Sequence, residues 1–380
     1  MDDNINKKQP IRVLQIIGVV CGGGVEAVIM NYYRNIDRNK IQFDFIIDGY
    51  EKSLLDDEIE SLGGKVYKVE PYSKNIFKYI YQIYRIIKEN NYQIIHSNMN
   101  TLSVFSLFAA WLAGAKIRII HNHSTAVKSE KMRSLLKYIL RPFNTIFANK
   151  YLACSRVAGK WMFGQKAVKT GKIKIINNAI NIDKFIYNEN LRQQLRKELD
   201  IKEDTLVIGH VGRFMYQKNH DFLIEVFNKI YEQDNNSILL LIGDGPLKQT
   251  IKNKIEKYGL GNSVKFLGVR KDVNKLYNVM DIFLFPSHYE GLGMVGVEAQ
   301  INGLHCLVAD NIPSEIKISD KIKFLPISDS NLWASEILKI ELQADNRKID
   351  LSVAKTRFDI AEESKSYENF IKCGATSNDS

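Results

Sequence analysis

Phe285-Pro-Ser-His-Tyr-Glu-Gly-Leu-Gly-Met-Val-Gly-Val-Glu298 is the stretch on which the reading of this chain turns. Four apolar residues, Ile282 to Phe285, make a short buried strand that Pro286 ends. A glycine-containing loop follows, and a helix pattern starts at about Val295. Strand, loop and helix in that order are the unit of a parallel α/β sheet, in which ligands bind at the carboxyl ends of strands. The start of the helix offers free N–H groups and a positive dipole end to an anion. Gly291 and Gly293 let the backbone come close to a bound group. Glu290 and Glu298, if both were helical, would stand about 80° apart around the axis. The more natural reading puts Glu290 in the loop and Glu298 in the first helical turns, each touching a different part of one ligand. The plainer reading, a dipole-stabilising Glu298 and a solvated Glu290, stays open on these residues alone.

The same alternation fills the rest of the second half of the chain. Leu206–Val211 is a buried strand ending in Gly212, and strands at Ser237–Ile242, Val264–Phe266 and Cys306–Ala309 are separated by helix patterns at His220–Gln233, Leu247–Tyr258 and Val273–Val279. An earlier run begins at Ile11–Gly18 and continues through strands near Phe43–Ile47, Lys65–Val69, Ile94–His96 and Ile117–Ile120. Helices at Val25–Arg34, Ile76–Glu89 and Leu102–Leu112 lie between them. Two runs of strand and helix, each opening on a strand and a Gly-rich turn, predict two Rossmann-like domains in a chain of 380 residues. The expected spans are 1–185 for the first domain, 186–355 for the second, and 356–380 for a closing helix and tail.

Composition narrows the function classes. A charged fraction of 25% and a hydrophobic fraction of 45% are those of an ordinary globular protein. The longest apolar run, Thr101–Ala115, is too short to span a bilayer and reads as a buried helix. The polar N-terminus carries no signal-peptide core, so the expected location is the cytoplasm, at the inner membrane face if a lipid partner exists. Cys21, Cys154, Cys306 and Cys373 are scattered and form no CxxC pair, which reads as reduced thiols without a zinc site. Residues 1–185 hold 28 Lys and Arg against 15 Asp and Glu, whereas the remainder holds 25 against 28. The first half therefore suits an anionic partner such as a membrane surface, a phosphate-bearing acceptor or nucleic acid, with a solvated basic face as the alternative. Within it, residues 130–150 interleave Lys131, Arg133, Lys137 and Arg141 with Leu135, Leu136, Tyr138, Ile139 and Leu140. That is a candidate for peripheral membrane contact and equally an ordinary packed helix.

Arg213 and Lys218 follow the buried strand Leu206–Val211, five positions apart. A diphosphate needs two cations converging on it, and Arg supplies a planar fork where Lys supplies a point charge. Alone, such a pair reads as solvated loop cations. Its position at a strand end of the domain that also carries Glu290 and Glu298 changes the weighing.

These stretches together resemble the retaining glycosyltransferases of family four, which have the GT-B architecture. The resemblance rests on the E-x7-E element Glu290 to Glu298 in its F-P-S-x-x-E-G-x-G setting, on Val211-Gly-Arg213 with Gln217-Lys-Asn219, and on Gly243-Asp-Gly-Pro246. It extends to Gly268-Val-Arg270-Lys-Asp272, to Asn178-Ala-Ile-Asn-Ile-Asp-Lys-Phe185 and to the turn Gly22-Gly-Gly-Val-Glu26. Ile119-Ile-His-Asn-His-Ser-Thr125 and Cys154-Ser155 look like members from bacterial capsule and exopolysaccharide synthesis. The resemblance implies two Rossmann-like domains facing across a cleft, the first (1–185) on the acceptor side, the second (186–355) holding the donor, and a crossover helix and tail (356–380) packing back on the first. It implies transfer of a sugar, with retention, from a nucleotide-diphosphate donor of UDP type. The implied acceptor is a glycan or lipid-linked saccharide. It also implies roles: Arg213 and Lys218 for the diphosphate, Glu298 for the ribose, Glu290 with the backbone of Gly291, Leu292, Gly293 and Met294 for the transferred sugar. Gly24 would approach the diphosphate, and His123 would reach the sugar near the reacting carbon. No metal and no cofactor is implied, and no Asp-x-Asp motif occurs. Ala179 and Asn181 stand where the family pattern has glycine and an acid, which implies altered backbone geometry there. His96 and His121 read as satisfied strand-end residues; His220 and His288 carry no role.

Three alternatives remain at this point. A nucleotide-sugar epimerase of the same shape would need no acceptor. A dinucleotide-dependent oxidoreductase would want Gly-x-Gly-x-x-Gly where this chain has Gly18-Val-Val-Cys-Gly-Gly-Gly24. A nucleic-acid-binding protein would use the basic half, yet no recognised module is present, and nucleic acid is not expected as a partner.

Overall fold

The computed structural model describes residues 9–20, 24–123, 131–340 and 347–376. Cys21, Gly22, Gly23, Ser124 to Glu130 and the tail from 377 lie outside the described residues. The chain divides into two compact units, one of Met1–Ile180 with Ile360–Ser380 and one of Asn181–Asp359. The joins fall at 180/181 and 359/360, a few residues from the 185/186 and 355/356 expected from sequence.

Among the described residues the first unit is built on seven parallel strands: β1 (Ile11–Ile17), β2 (Ile41–Asp48), β3 (Val66–Val69), β4 (Ile94–Ser97), β5 (Ile117–Asn122), β6 (Lys150–Ala153) and β7 (Lys174–Ile175). Their order is β3-β2-β1-β4-β5-β6-β7, so successive crossovers leave β1 in opposite directions. The side-chain period of two splits β1 between two cores. Val13 and Ile17 join Phe43, Phe45, Tyr33 and Tyr367 on one face, while Leu14 and Ile16 join Ile46, Tyr79, Ile83 and Ile95 on the other. Helix Ile76–Glu89 covers the second face through Tyr79, Ile83 and Ile87, at helical spacing, and is capped by Asn75, whose side chain accepts from the Lys78 N–H. The last helix, Ile360–Thr376, belongs to this unit and packs on helix Gly24–Asn35, with Tyr367 against Tyr32 at 5.6 Å.

Among the described residues the second unit holds six parallel strands, β8 (Leu206–Val211), β9 (Ser237–Ile242), β10 (Val264–Gly268), β11 (Ile282–Phe285), β12 (His305–Ala309) and β13 (Ile322–Leu325), ordered β10-β9-β8-β11-β12-β13. The strand order reverses between β8 and β11, which pair directly at Ile282 with Ile208 and Phe283 with Gly209. In doubly wound sheets that reversal leaves a crevice at the carboxyl edge, because the connections on its two sides run to opposite faces. Both sequence stretches singled out for chemistry emerge there. β6 and β13, short strands outside the sequence reading, complete the two sheets.

Candidate functional site

The loop after β8 is pinned on both sides of Arg213. Gly212 N–H donates to Ile242 O at 2.9 Å, Phe214 N–H donates to Asp244 O at 2.9 Å, and Phe214 O accepts from Leu247 N–H at 3.0 Å. The motif Gly243-Asp-Gly-Pro246 thereby acquires a physical reason. Gly243 has φ +134, and a Cβ there would stand 2.1 Å from Gly212 O, so only glycine lets the two loops meet. Arg213 itself is exposed.

Beyond it, a 3₁₀ turn at Tyr216–Lys218 and a left-handed Asn219 (φ 54, ψ 44) lead into helix His220–Tyr231. Every residue of that turn grips the loop after β11. Asn219 Nδ2 donates to Pro286 O at 3.1 Å, and His288 N–H donates to Gln217 O at 2.8 Å. Gln217 Nε2 donates to Tyr289 O at 3.0 Å and to Glu290 Oε2 at 3.1 Å, and Lys218 Nζ donates to Glu290 Oε1 at 2.7 Å. Tyr216 stacks on His288, ring centroids 4.4 Å apart. The Glu290 and Lys218 side chains are 9% and 16% exposed, so their pair is largely desolvated. Removing one partner from such a pair costs about 3–5 kcal/mol, because the other charge stays behind in a poorly hydrated site.

Glu290 sits in the loop and Glu298 in helix Met294–Ile301, as the sequence reading has it. The helix begins at Gly293 in the left-handed region (φ 91), where a Cβ would come within 2.7 Å of the Phe285 ring. Leu292 is buried, so of Gly291–Met294 it offers a ligand its backbone. Burial pushes the Glu298 carboxyl up to about 7; the Tyr277 hydroxyl, donating at 2.8 Å to Oε2, and the Lys218 charge pull the other way.

Below the loops lie two histidines that the sequence reading left without a role or did not single out. His210 Nδ1 donates to Leu284 O at 2.8 Å, and burial takes its pKa down to about 4. His220, beside it at 4.8 Å and stacked on Phe214 at 4.3 Å, is taken down to about 2 by burial and then by the His210 and Lys218 charges. Both are neutral packing groups at pH 7. A cavity of about 910 Å³ opens at the opposite, amino edge of this sheet, away from Glu290. It surrounds Asp281, which pairs with Arg192 at 2.5 Å and Arg196 at 2.7 Å.

In the first unit, His123 follows β5 at the carboxyl edge of its sheet. Its N–H donates to Asn100 Oδ1 at 2.7 Å, and its Nε2 lies 3.1 Å from Asn98 Oδ1. His96, His121 and His123 form a column with centroid separations of 5.3 and 4.0 Å. Burial lowers His96 and His123 to about 3, and burial with the neighbouring histidines holds His121 well below the usual imidazole range. His96 and His121 are therefore strand-end residues, but each keeps a buried Nε2 without a partner among the described residues and so is not fully satisfied as expected. Gly24 opens helix Gly24–Asn35, and beyond its chain neighbours and its own helix backbone nothing lies within 4 Å of where a Cβ would stand. Asp48, at the end of β2, is 5% exposed and neither carboxylate oxygen has a partner among the described residues; burial lifts it to about 7. No motif marked it, although an acid closing an apolar strand is a legible signal. Among the described residues no His, Cys, Asp and Glu are grouped as metal ligands, and no helix is long and apolar enough to cross a membrane.

The model of Glycosyltransferase Family 4 matches residues 22–184, and that of Glycosyl transferases group 1 matches residues 191–346. EpsF of Bacillus subtilis (strain 168), which bears a glycosyltransferase name, is 32% identical over 337 residues, covering 86% of this chain and 87% of that protein. The UDP-Gal:alpha-D-GlcNAc-diphosphoundecaprenol alpha-1,3-galactosyltransferase of Escherichia coli is 27% identical over 301 residues, 76% of each chain. Among solved structures, HepE of Anabaena in complex with UDP and glucose superposes with a TM-score of 0.79 at 19% identity, over 95% of this chain and 99% of that one. With one relative similar along most of both chains and the two models matching in succession, the chain belongs to the family four glycosyltransferases and is a transferase of GT-B fold.

Proposed function

We propose that this enzyme moves a sugar, with retention at the anomeric carbon, from a UDP-sugar to a lipid-linked saccharide in capsule or exopolysaccharide synthesis. The observation that carries the reading is the cluster of Gln217, Lys218 and Glu290 at the strand-order reversal of the second unit, with Arg213 on the loop after β8 and Glu298 on the helix that follows Glu290. This edge of the sheet has the two cations a diphosphate requires: Arg213, exposed on its loop, and Lys218, fixed by Glu290. Glu290, with the backbone of Gly291–Met294, accepts hydroxyls of the transferred sugar, and Glu298 those of the ribose. In the first unit Gly24 leaves room for the diphosphate, and His123 serves the sugar. A His123 held down to about 3 is neutral at pH 7 and acts as a hydrogen-bonding group, not as a proton donor. The departing phosphate oxygen takes the acceptor proton, so positioning and electrostatics carry the catalysis. By their names, one relative uses UDP-Gal and a diphosphoundecaprenol-linked sugar, and one structural neighbour binds UDP.

A lipid-linked acceptor calls for work at a membrane surface. Between Asn90 and Ile182 the chain has 14 Lys and Arg and a single acid, Glu130. Helix Lys131–Phe147 runs through that stretch with Tyr138, Ile139, Phe143 and Ile146 exposed. Cations around exposed aromatic and aliphatic side chains suit an anionic lipid face, and the proposed location is the inner face of the cell membrane.

Thermal shift with UDP-, GDP-, ADP- and TDP-sugars, on the wild type and Glu298→Ala, tests the donor site. UDP-sugars should raise the melting temperature, and the variant should lose that rise. A shift confined to another nucleotide, or one undiminished in the variant, overturns the reading.

A further inference from the structure

The hydrogen bonds around His123 run in one direction, and that direction settles which ring nitrogen carries its proton. Asn98 Nδ2 faces two groups: His96 O at 3.4 Å, which can only accept, and Gln15 Oε1 at 3.0 Å. The amide orientation is therefore fixed, and its oxygen is the atom 3.1 Å from His123 Nε2. An amide oxygen only accepts, so Nε2 must hold the proton. In a neutral imidazole Nδ1 is then bare, and His123 Nδ1 is buried without a partner among the described residues.

The chain of hydrogen bonds continues away from His123. With Gln15 Oε1 occupied, its Nε2 donates to the Tyr367 hydroxyl oxygen at 3.3 Å, and that hydroxyl donates to His96 Nδ1 at 2.9 Å. Donors thus run from His123 through Asn98, Gln15 and Tyr367 to His96, whose ring stacks back on His121 and through it on His123. Bonds aligned in this way polarise one another, and reversing any member leaves a buried group unmatched.

We infer that Asn98, Gln15 and Tyr367 are positioning residues that lock His123 as the Nε2–H tautomer and keep Nδ1 as a fixed acceptor for a hydroxyl of the transferred sugar. The inference rests on the sugar-contacting role of His123 proposed above. It gives the last helix a part in the chemistry, because Tyr367 reaches these bonds from the segment that rejoins the first unit at Ile360, after the backbone has passed through the second. A phenylalanine at 367 would keep the ring contacts with His96 at 5.8 Å and Phe43 at 5.8 Å and lose the hydroxyl alone.

The test is long-range ¹H–¹⁵N NMR of the histidine-labelled full chain, with steady-state transfer kinetics on the same samples. The wild type should show His123 with a pyrrole-type Nε2 and a pyridine-type Nδ1. Tyr367→Phe should mix the tautomers and lower kcat about tenfold, near 1.4 kcal/mol, with UDP affinity unchanged. Gln15→Met breaks the run of bonds one step closer to His123 and should do the same, so a folding failure in one variant leaves the other to decide. A wild-type His123 protonated at Nδ1, or variants that leave its spectrum unmoved, overturn the inference. Tautomers that mix while kcat holds overturn the positioning role and leave the UDP-binding result standing.

Discussion

Asp44 and Asp48 sit four residues apart on the same face of β2, and their surroundings could hardly differ more. Asp44 receives Arg12 at 2.6 and 2.7 Å, the Tyr92 hydroxyl at 2.7 Å and the Lys65 N–H at 2.8 Å. The Asp48 carboxylate receives no hydrogen bond among the described residues, and its pKa rises to about 7. An ordinary aspartate ionises near 3.9, so the native state holds this proton longer than the unfolded chain does. Below about pH 4 both states are protonated and the group is neutral in effect. As pH climbs from 4 to 7 the unfolded chain gains an ion the native state resists, and stability falls; above 7 the penalty is complete. Asp48→Asn should therefore stabilise the protein by about 1–3 kcal/mol at pH 8 and by nearly nothing at pH 4, measured by denaturant unfolding at both. A variant less stable than wild type at pH 8 would show that the carboxylate has a partner in solution. Single residues also show why some of the site is legible in the sequence and some is not. Glu290, Glu298, Arg213 and Lys218 announce themselves by spacing beside buried strands, and the structure puts Lys218 on Glu290. Gln217 stands in the Gln217-Lys-Asn219 signature without a role of its own, and Asn98 and Gln15 are unremarkable in sequence, because what they do arises from amide contacts between segments far apart in the chain.

Among the elements, helix Lys131–Phe147 departs from the ordinary rule. A surface helix keeps apolar residues on its inner stripe, yet Ile139, Phe143 and Ile146, spaced four and three apart, point outward at 53%, 47% and 63% exposure. Trp111, half-exposed at the end of the neighbouring helix Ser103–Leu112, adjoins them through Phe147 at 5.8 Å. The wild type should float with vesicles containing anionic lipid, more weakly at high salt, and poorly with neutral vesicles. The triple variant Ile139→Ser, Phe143→Ser, Ile146→Ser should partition at least tenfold more weakly, about 1.4 kcal/mol. Flotation equal to wild type would show that this face does not bind lipid. The strands and helices themselves are largely legible: Ile76–Glu89, Leu206–Val211, Ser237–Ile242 and Ile282–Phe285 match their periodicity residue for residue. β6 and β13 are not. Each is four residues long at or next to a sheet edge, and the apolar residues of β6 blur into those of the helix before it.

Over the whole molecule, two repeats of one design do different work. Each sheet reverses strand order once, between β1 and β4 and between β8 and β11, and the residues assigned to chemistry cluster at the carboxyl edge of those reversals. Two runs of alternating pattern are enough to announce this architecture. The return of the chain to its first unit at Ile360 follows from long-range packing, such as Tyr367 on Phe43 and Tyr32, that local periodicity does not encode. The charge is divided too, with the excess of cations confined to the first half of the sequence. Transfer from a UDP-sugar with retention, driven by the cations Arg213 and Lys218, is the reaction this arrangement serves in our proposal. It is checked by the anomeric configuration of the product, read by proton NMR after wild type and Arg213→Ala act on a UDP-sugar and a lipid-linked saccharide. We expect UDP release, a linkage of the same configuration as the donor, and a rate lower by roughly 10² in the variant. An inverted linkage, or an Arg213→Ala enzyme as fast as wild type, would refute the proposal.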